Sequence, residues 1–292
     1  MGLIAVTGAT GKLGGATINY LLERKVAAAD IVAMVRDPAK LKARGLAVRR
    51  GDYTETRSLE QAFKGVERLL FISTTVLGEE RILHHRNVVN AARAAGVRYI
   101  VYTSVVKASA DAIFAASPGH HATEVMVRES GIPHTFFRNN LYMDLVPLMF
   151  GDAVSTGKIV HNANAGRIGF VARQDIAAAL AAVLTSDDHR GKAYDISAPS
   201  PYSLGDVAAA LGRACRKTVT YQAVRSDEYR KILEAKGAPA RIIDVSVALG
   251  DAVRAGEFDV ASTDLGRLMD RAPQTLEGFL RNALGGPVGA KG

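Results

Sequence analysis

The chain is poor in several features that mark particular classes of protein. Its 292 residues include a single cysteine, Cys215, so no internal disulfide can form and we expect a reducing, cytoplasmic compartment. No apolar run has the length needed to cross a bilayer, and the start lacks the basic, apolar and small-residue order of a signal peptide. We therefore expect no association with a membrane.

Charge of one sign is not concentrated in any part of the sequence. The net charge is +8, but the lysines and arginines are spread along the chain without a block of like charges. A mildly basic surface around a polyanionic cofactor would account for the positive net charge equally well, so we expect no nucleic-acid partner.

Motifs of two further enzyme classes are missing. His84 and His85 have no Cys, Asp or Glu residues at metal-ligand spacing, so we expect no metal site. The Gly-x-Ser-x-Gly sequence that carries the nucleophile of many hydrolases is absent as well. The function of the chain is therefore inferred from its other motifs.

The start of the chain has the pattern of a dinucleotide-binding turn. A short apolar run over 3–7 leads to Gly8, Gly11 and Gly14, and a helical pattern follows at once. The first glycine allows a tight turn, the second lets the backbone approach phosphates, and the third lets the helix pack close to the strand. The alternative is a glycine-rich turn without a ligand. The residues predicted to contact the cofactor here are Gly8, Ala9, Thr10, Gly11, Lys12 and Leu13.

Strand and helix patterns alternate through the first half of the chain. This alternation predicts an α/β fold, a Rossmann-type doubly wound parallel sheet with a smaller C-terminal α/β substrate lobe. The predicted strands of the sheet cover 3–7, 31–35, 47–49, 68–72, 99–103 and 134–138. A further strand is predicted over 167–171. The predicted domains are 1–152 for NADP binding, with 166–197 returning to it, and 153–165 plus 198–292 for the substrate. Residues 285–292 are predicted to be a loose tail.

The end of the second strand indicates which dinucleotide binds. Arg36 comes directly after it, where a guanidinium can bind a 2′-phosphate through two hydrogen bonds, and Lys12 and Lys40 add positive charge nearby. Asp37 before Pro38 is explained as a cap of the following turn. We therefore expect NADPH rather than NADH, and the alternative for Arg36 is a solvated surface side chain.

Two loops complete the predicted nucleotide site. Asp52 and Tyr53 follow the third strand, where side chains can border the adenine. Ser73, Thr74 and Thr75 follow the fourth strand, where small hydroxyl residues leave room for the ribose. Each loop taken alone is also consistent with ordinary turn chemistry.

With these residues in view, the chain resembles the NmrA-like, atypical branch of the short-chain dehydrogenase/reductase superfamily. Within it the resemblance is closest to bacterial NADPH:quinone oxidoreductases and triphenylmethane reductases. The matching motifs extend over nearly the whole chain: Thr7-Gly8-Ala9-Thr10-Gly11-x-Leu13-Gly14, Val35-Arg36-x-Pro38-Ala39-Lys40, Gly51-Asp52-Tyr53, His85-Arg86-Asn87-Val88-Val89-Asn90-Ala91-Ala92, Tyr102-Thr103-Ser104, Thr123-Glu124 and Arg138-Asn139-x-x-Tyr142. They are specific for the branch and less specific for the substrate. The resemblance adds Thr103 and Ser104 to the expected cofactor contacts.

The usual Tyr-x-x-x-Lys pair of the superfamily is absent. The corresponding helix has His120 and Glu124 on one face, so a histidine–carboxylate pair with His120 as proton donor is geometrically possible. Alternatively, Glu124 only caps or pairs on a helix surface. Quinones and cationic dyes accept hydride readily, so positioning and desolvation beside the nicotinamide can suffice. The absence of the Tyr-x-x-x-Lys pair therefore indicates that the substrate is a conjugated electrophile rather than an ordinary ketone.

Residues after the sixth strand are predicted to form the wall beside the nicotinamide. Asn139 and Asn140 offer amide donors and acceptors, and Tyr142 lies one turn further on. The catalytic candidates are thus Asn139, Tyr142 and His120, with Asn139 and Asn140 also expected to contact the cofactor. The alternative for Asn139 is a cap on the next helix.

The sequence leaves two functions open. The first is an NADPH-dependent reductase that transfers hydride to a quinone or a similar conjugated electrophile, dye-like substrates included. The second is a redox-sensing protein that binds NADP(H) and regulates a partner without turnover. Both use the same glycine turn and Arg36, and in either case a homodimer is a possible assembly.

Overall fold

The structure is a computed structural model that describes residues 2–41 and 45–284. The strands are β1 (Leu3–Val6), β2 (Ile31–Val35), β3 (Ala47–Arg50), β4 (Val66–Phe71), β5 (Tyr99–Val105), β6 (His134–Asn139), β7 (Lys158–His161), β8 (Arg167–Ile168), β9 (Ala193–Ile196), β10 (Tyr202–Ser203) and β11 (Thr220–Ala223). The helices are α1 (Lys12–Glu23), α2 (Thr56–Ala62), α3 (Gly78–Ala94), α4 (Ser117–Glu129), α5 (Leu145–Phe150), α6 (Ala153–Thr156), α7 (Arg173–Leu184), α8 (Leu204–Cys215), α9 (Ser226–Ala235), α10 (Ala240–Arg254), α11 (Asp264–Met269) and α12 (Leu276–Leu284). The tail predicted over 285–292 lies outside the described residues.

Seven of the strands form one parallel sheet in the order β3-β2-β1-β4-β5-β6-β9. The strand order reverses between β1 and β4, and in such sheets ligands bind at the carboxyl ends of the strands beside the reversal. The Rossmann-type parallel sheet predicted from the sequence is confirmed.

Helices cover both faces of the sheet, and the strand sequences show why. Ile4 and Val6 on β1 pack on the side of α1 and α7, whereas Ala5 between them packs on the side of α2 and α3. Successive side chains of a strand point to opposite faces, so a strand buried on both faces has to be apolar throughout. Each large apolar side chain buried in this way contributes about 1.5–3 kcal/mol.

A second apolar cluster lies beyond the sheet and joins the later elements. Its buried members include Phe150 after β6, Leu211 on α8, Phe258 after α10 and Leu280 on α12. Two small sheets border it, β7 with β11 in parallel and β8 with β10 in antiparallel. The domain boundaries given above remain a prediction.

One predicted strand is shorter in the structure, and one long helix of the structure was not predicted. The strand predicted over 167–171 ends at Ile168, because Gly169 turns against the Ser197 side chain: a Cβ there would lie 1.8 Å from the Ser197 hydroxyl oxygen. The long helix α10 was not predicted at all. Its Gly250 has a packing function, since a Cβ there would lie 1.9 Å from Oδ1 of Asn162.

Candidate active site

The glycine turn between β1 and α1 has the geometry that a diphosphate requires. Gly8 has φ +58°, a conformation that other residues rarely adopt. A Cβ at Gly14 would lie 2.4 Å from the carbonyl oxygen of Gly8, so only glycine allows α1 to come this close to β1. The backbone N–H of Gly11 closes the turn on the Gly8 carbonyl at 2.8 Å. The turn thus presents the N-terminus of α1 at the strand reversal.

An open cleft of about 400 Å³ lies beside this turn. The residues that line it come from the turn and α1, from the start of α7 and from the C-terminal segment: Thr10, Gly11, Lys12, Gly15, Ala16, Asn19, Asp144, Ala172, Arg173, Gln174, Gln274 and Phe279. Arg173 pairs with Asp144, and its guanidinium carbon lies 4.9 Å from the ring centroid of Tyr142. The cleft therefore connects the glycine turn with the region of Tyr142.

Arg36 lies exposed at the carboxyl end of β2. It forms no hydrogen bond or ion pair with another residue in the described part of the chain, so its guanidinium can turn toward a ligand phosphate. Asp37 accepts a hydrogen bond from the Ala39 N–H at 3.1 Å, as expected for a cap. Burial of Asp52 works against its ionisation, but hydrogen bonds from Thr54 and the charge of Arg36 leave its pKa below the usual value.

The Tyr53 hydroxyl forms hydrogen bonds within the protein. It lies 2.7 Å from Oγ1 of Thr7 and 2.7 Å from the carbonyl oxygen of Ile72, and burial raises its pKa. Oγ1 of Thr7 also accepts the Ile72 N–H at 2.8 Å. Tyr53 therefore fastens the ends of β1 and β4 together, and only its ring remains to border an adenine.

The loop after β4 is held by its backbone. The Ser73 N–H donates to Oγ1 of Thr103 at 2.9 Å, and the Thr74 N–H donates to Nε2 of His85 at 3.1 Å. Thr75 is exposed. Thr103 is buried beneath the loop and supports it through this hydrogen bond, and the cofactor contact expected from the resemblance stays a prediction.

Glu124 does not pair with His120, and it does not lie on the helix surface. It is 2% exposed, and its carboxylate accepts hydrogen bonds from Arg138 at 2.8 and 3.0 Å, from Arg128 at 2.8 Å and from the Ser104 hydroxyl at 2.8 Å. Burial opposes its ionisation, but these bonds hold its pKa below the usual range. The expected pair with His120 is wrong. Of the alternative, the pairing along the helix is found in Arg128, but the carboxylate is buried rather than at the surface. Ser104 donates to this carboxylate, and its expected cofactor contact stays a prediction.

His120 contacts Tyr102 instead of a carboxylate. Its Nδ1 lies 2.8 Å from the Tyr102 hydroxyl, and the ring is buried. Burial and the charge of Arg81 lower the pKa of His120 to about 3. The imidazolium form that would donate a proton is therefore scarce at neutral pH.

The two asparagines after β6 have different positions. The Asn140 side chain is fully used, since its amide N–H groups donate to Ser197 and to the Phe258 carbonyl and its oxygen accepts the Leu141 N–H. Its expected contact with the cofactor stays a prediction. Asn139 is also buried, but its Oδ1 has no partner among the described residues.

The Asn139 side chain lies near Tyr142 and has a polar atom that no described residue uses. Its Nδ2 lies 3.5 Å from the Tyr142 hydroxyl, and the Tyr142 ring in turn meets Arg173 at the cleft. Helix α5 begins at Leu145, so the alternative of Asn139 as its cap is wrong. A buried carbonyl oxygen without a donor is costly, and the amide of a nicotinamide is a suitable donor.

Asp144, Arg173 and Gln274 are among the cleft residues that the sequence analysis did not name as site candidates. Arg173 has a signal in the sequence, because it begins the helix whose segment follows the predicted strand over 167–171. Gln274 has none, since it is placed by a tertiary contact: the Asp175 carboxylate accepts its backbone N–H at 2.6 Å.

Two absences hold for residues 2–41 and 45–284. No group of three or more His, Cys, Asp or Glu side chains is arranged to hold a metal ion. None of the helices in these ranges combines the length and the apolar character that a membrane span needs.

Several known proteins with a similar sequence and structure are reductases. A model of the NmrA-like family matches residues 1–280. Quinone oxidoreductase 2 of Escherichia coli (strain K12) is 39% identical over 279 residues, 94% of this chain and 96% of that protein. The crystal structure of Citrobacter sp. triphenylmethane reductase complexed with NADP(H) is similar with a TM-score of 0.90 at 39% identity, over 96% of this chain and 100% of the other. The Escherichia coli NADPH-dependent quinone oxidoreductase complexed with NADPH gives a TM-score of 0.90 at 36% identity, over 96% and 99%.

Proposed function

The chain belongs to the NmrA-like family, and from this premise we propose that it is an NADPH-dependent reductase that transfers hydride to a quinone or a dye-like conjugated electrophile. Its similarity to NADPH-dependent quinone oxidoreductase and to triphenylmethane reductase supports both the cofactor and the substrate class. The observation that carries the proposal is the buried, unpartnered Oδ1 of Asn139. The amide nitrogen of Asn139 lies 3.5 Å from the Tyr142 hydroxyl, and the Tyr142 ring contacts Arg173, which lines the cleft beside the glycine turn.

The described residues fit NADPH along its length. The turn that begins at Gly8 suits the diphosphate, because a Cβ at Gly14 would fill the space that the close approach of α1 requires. Arg36 suits the 2′-phosphate, and Oδ1 of Asn139 suits the N–H groups of the nicotinamide amide. When bound, NADPH supplies the hydride.

No side chain has to supply a proton in this reaction. A quinone that accepts a hydride becomes an aromatic hydroquinone anion, which is stable enough to take its proton from water. His120 is neutral and buried, and Glu124 is locked in its ion pair with Arg138. The site therefore acts by positioning the acceptor beside the nicotinamide and by keeping water away from the transfer.

The test is the consumption of NADPH with three kinds of acceptor. We expect turnover with a naphthoquinone and with a triphenylmethane dye, and no measurable turnover with a saturated ketone, whose alkoxide product needs a proton as it forms. NADPH binding without turnover on any acceptor would contradict the reductase and support the redox-sensing alternative.

We propose further that the protein is a cytoplasmic homodimer. The lone Cys215 suits a reducing compartment. Ile242 and Val245 are exposed apolar neighbours one turn apart on α10, where a second copy could cover them. Light scattering of the purified protein is expected to give twice the chain mass, and the mass of a single chain would contradict the dimer.

A further inference from the structure

His85 is a buried histidine that the proposed reaction does not use. It lies on α3 behind the loop after β4, and its ring packs against Phe71, Tyr102 and Tyr53, with ring centroids 4.9, 5.8 and 6.3 Å away. Both of its ring nitrogens have a partner. Nε2 is 3.1 Å from the Thr74 backbone nitrogen, and Nδ1 is 2.7 Å from Oγ1 of Thr123 on α4.

These partners determine which nitrogen carries the proton. A backbone N–H can only donate, so Nε2 of His85 must accept from Thr74. The Thr123 hydroxyl donates to the Gly119 carbonyl at 2.7 Å, so its oxygen is left to accept from Nδ1–H. The hydrogen-bond network thus assigns the neutral Nδ1–H tautomer. In a doubly protonated ring, Nε2–H and the Thr74 N–H would face each other as two donors, and the hydrogen bond would be lost.

Two side chains, Thr103 and His85, hold the backbone of the loop that precedes α3. Ser73 is tied to β5 through Thr103, and Thr74 is tied through His85 to Thr123 on α4. The loop lies at the carboxyl end of β4, next to the strand reversal where the cofactor is proposed to bind. Its shape depends on the protonation state of His85.

A buried positive charge favours the neutral form. Arg81 lies one turn before His85 on α3 and is 4% exposed. Its Nε donates to the Val76 carbonyl at 2.7 Å, its Nη1 is buried without a partner, and no carboxylate of the described residues lies within 4.0 Å of it. Burial and the charge of Arg81 hold the pKa of His85 well below its usual value.

The other groups around His85 do not reverse this effect. The titratable neighbours are His84 on α3, His120 on α4, Tyr102 on β5 and Tyr53 before α2. The two histidines would add positive charge if protonated, and burial keeps both tyrosines uncharged. Each of them therefore favours the neutral imidazole or leaves it unaffected.

We propose that His85 is a positioning residue for NADPH: it holds the Ser73–Thr75 loop in the shape that receives the nicotinamide ribose, and the charge of Arg81 keeps the ring in the neutral form this requires. The proposal rests on the reductase function given above. It assigns no contact between His85 and the cofactor, so its effect passes through the Thr74 backbone.

The first experiment separates the hydrogen bond from the packing of the ring. A glutamine at this position can place its amide oxygen near the site of Nε2 and keep the acceptor for Thr74, whereas an asparagine is too short to do so. We expect His85→Asn to raise the KM for NADPH about three- to tenfold, the loss of one hydrogen bond, with kcat on a naphthoquinone changed less than twofold. His85→Gln is expected to stay within about twofold of the wild type in both constants.

A matched control is Tyr99→Phe, which removes a buried hydroxyl bonded to Thr135 at the opposite end of β5. It is expected to leave the KM for NADPH unchanged. An equal KM for His85→Asn and the wild type would overturn the proposal, and so would an equal loss in His85→Asn and His85→Gln, since that would assign the effect to packing. A wild type that does not bind NADPH would instead overturn the reductase function itself.

The second experiment uses pH and does not depend on the folding of the asparagine variant. Removing the charge in Arg81→Gln should raise the pKa of His85 toward its usual value. Because the protonated ring can no longer accept the Thr74 N–H, kcat/KM for NADPH should then fall by about three- to tenfold as pH drops from 8 to 5, the same loss as in His85→Asn. The wild type and the double variant Arg81→Gln/His85→Gln should show no such fall. A fall that persists in the double variant would overturn the proposal.

Discussion

Arg36 carries the choice of cofactor at the scale of a single residue. A charged hydrogen bond between its guanidinium and the 2′-phosphate contributes about 1.5–3 kcal/mol, or about ten- to a hundredfold in affinity. Arg36→Ala should therefore weaken NADPH binding by this factor and change NADH binding little, and added salt should narrow the difference. Fluorescence titration with both cofactors measures this. Arg241→Ala, an exposed arginine on α10, is the control. Equal affinity of the wild type for both cofactors would refute the assignment.

His120 gives a prediction about the mechanism at the same scale. Because its pKa is about 3, the ring is neutral at neutral pH and has no proton to donate by ordinary acid catalysis. His120→Ala should keep its quinone reductase activity within about tenfold, whereas the loss of a general acid typically costs about a hundred- to ten-thousandfold. The rate is measured from pH 6 to pH 8, with the fold checked by circular dichroism. A decrease of about a hundredfold with an intact fold would mean that His120 is the proton donor.

His161 predicts how stability depends on pH. It is 2% exposed against Phe150 and Tyr229, neither ring nitrogen has a partner among the described residues, and burial lowers its pKa to about 4 although Asp251 acts in the opposite direction. Between about pH 6.5 and pH 4, His161 is protonated in the unfolded chain but remains neutral in the folded chain. The free energy of unfolding should thus fall by about 1.4 kcal/mol per pH unit from this residue alone, down to pH 4.

Urea unfolding between pH 7 and pH 5 measures this slope. His161→Phe should reduce the slope by about 1.4 kcal/mol per pH unit, the contribution of one proton. Tyr229→Phe alters the neighbouring ring but keeps the imidazole, so it should leave the slope unchanged. An unchanged slope in His161→Phe would show that the ring finds a partner in solution.

Helices and strands whose form depends on residues close in sequence could be predicted from the sequence. The apolar runs and the glycine turn at Gly8 specify β1, α1 and their tight junction without reference to other segments. The burial of Glu124 could not be predicted in this way, because its partner Arg138 comes from β6 and the sequence does not show which strand the helix meets. Likewise α10 contains Gly250, which weakens a helical pattern and is explained only by its contact with Asn162.

The contact between α7 and the C-terminal segment is testable as an element. The buried Asp175 carboxylate accepts hydrogen bonds from Arg271 at 2.7 Å and from the Gln274 N–H at 2.6 Å, which places Gln274 on the cleft. Asp175→Asn should lower the free energy of unfolding by about 2 kcal/mol, a value reduced because Arg271 is half exposed. It should also speed proteolysis between α11 and α12. The exposed Asp188→Asn is the control for both measurements.

For the whole molecule, the cleft joins parts of the chain that are far apart in sequence, and a ligand there should stabilise all of them together. The glycine turn, the start of α7 and the segment around Gln274 line the same space, so NADPH that binds only the folded chain adds RT ln(1 + [L]/Kd) to its stability. At a hundred times the Kd this is about 2.7 kcal/mol, which should raise the Tm by roughly 5 °C. Differential scanning fluorimetry with NADPH, and with NADH at the same concentration, measures the effect. A single transition that moves upward more with NADPH would show one cooperative unit closed around its cofactor. Two transitions, of which only one moves, would show that the C-terminal segment unfolds independently of the cofactor site.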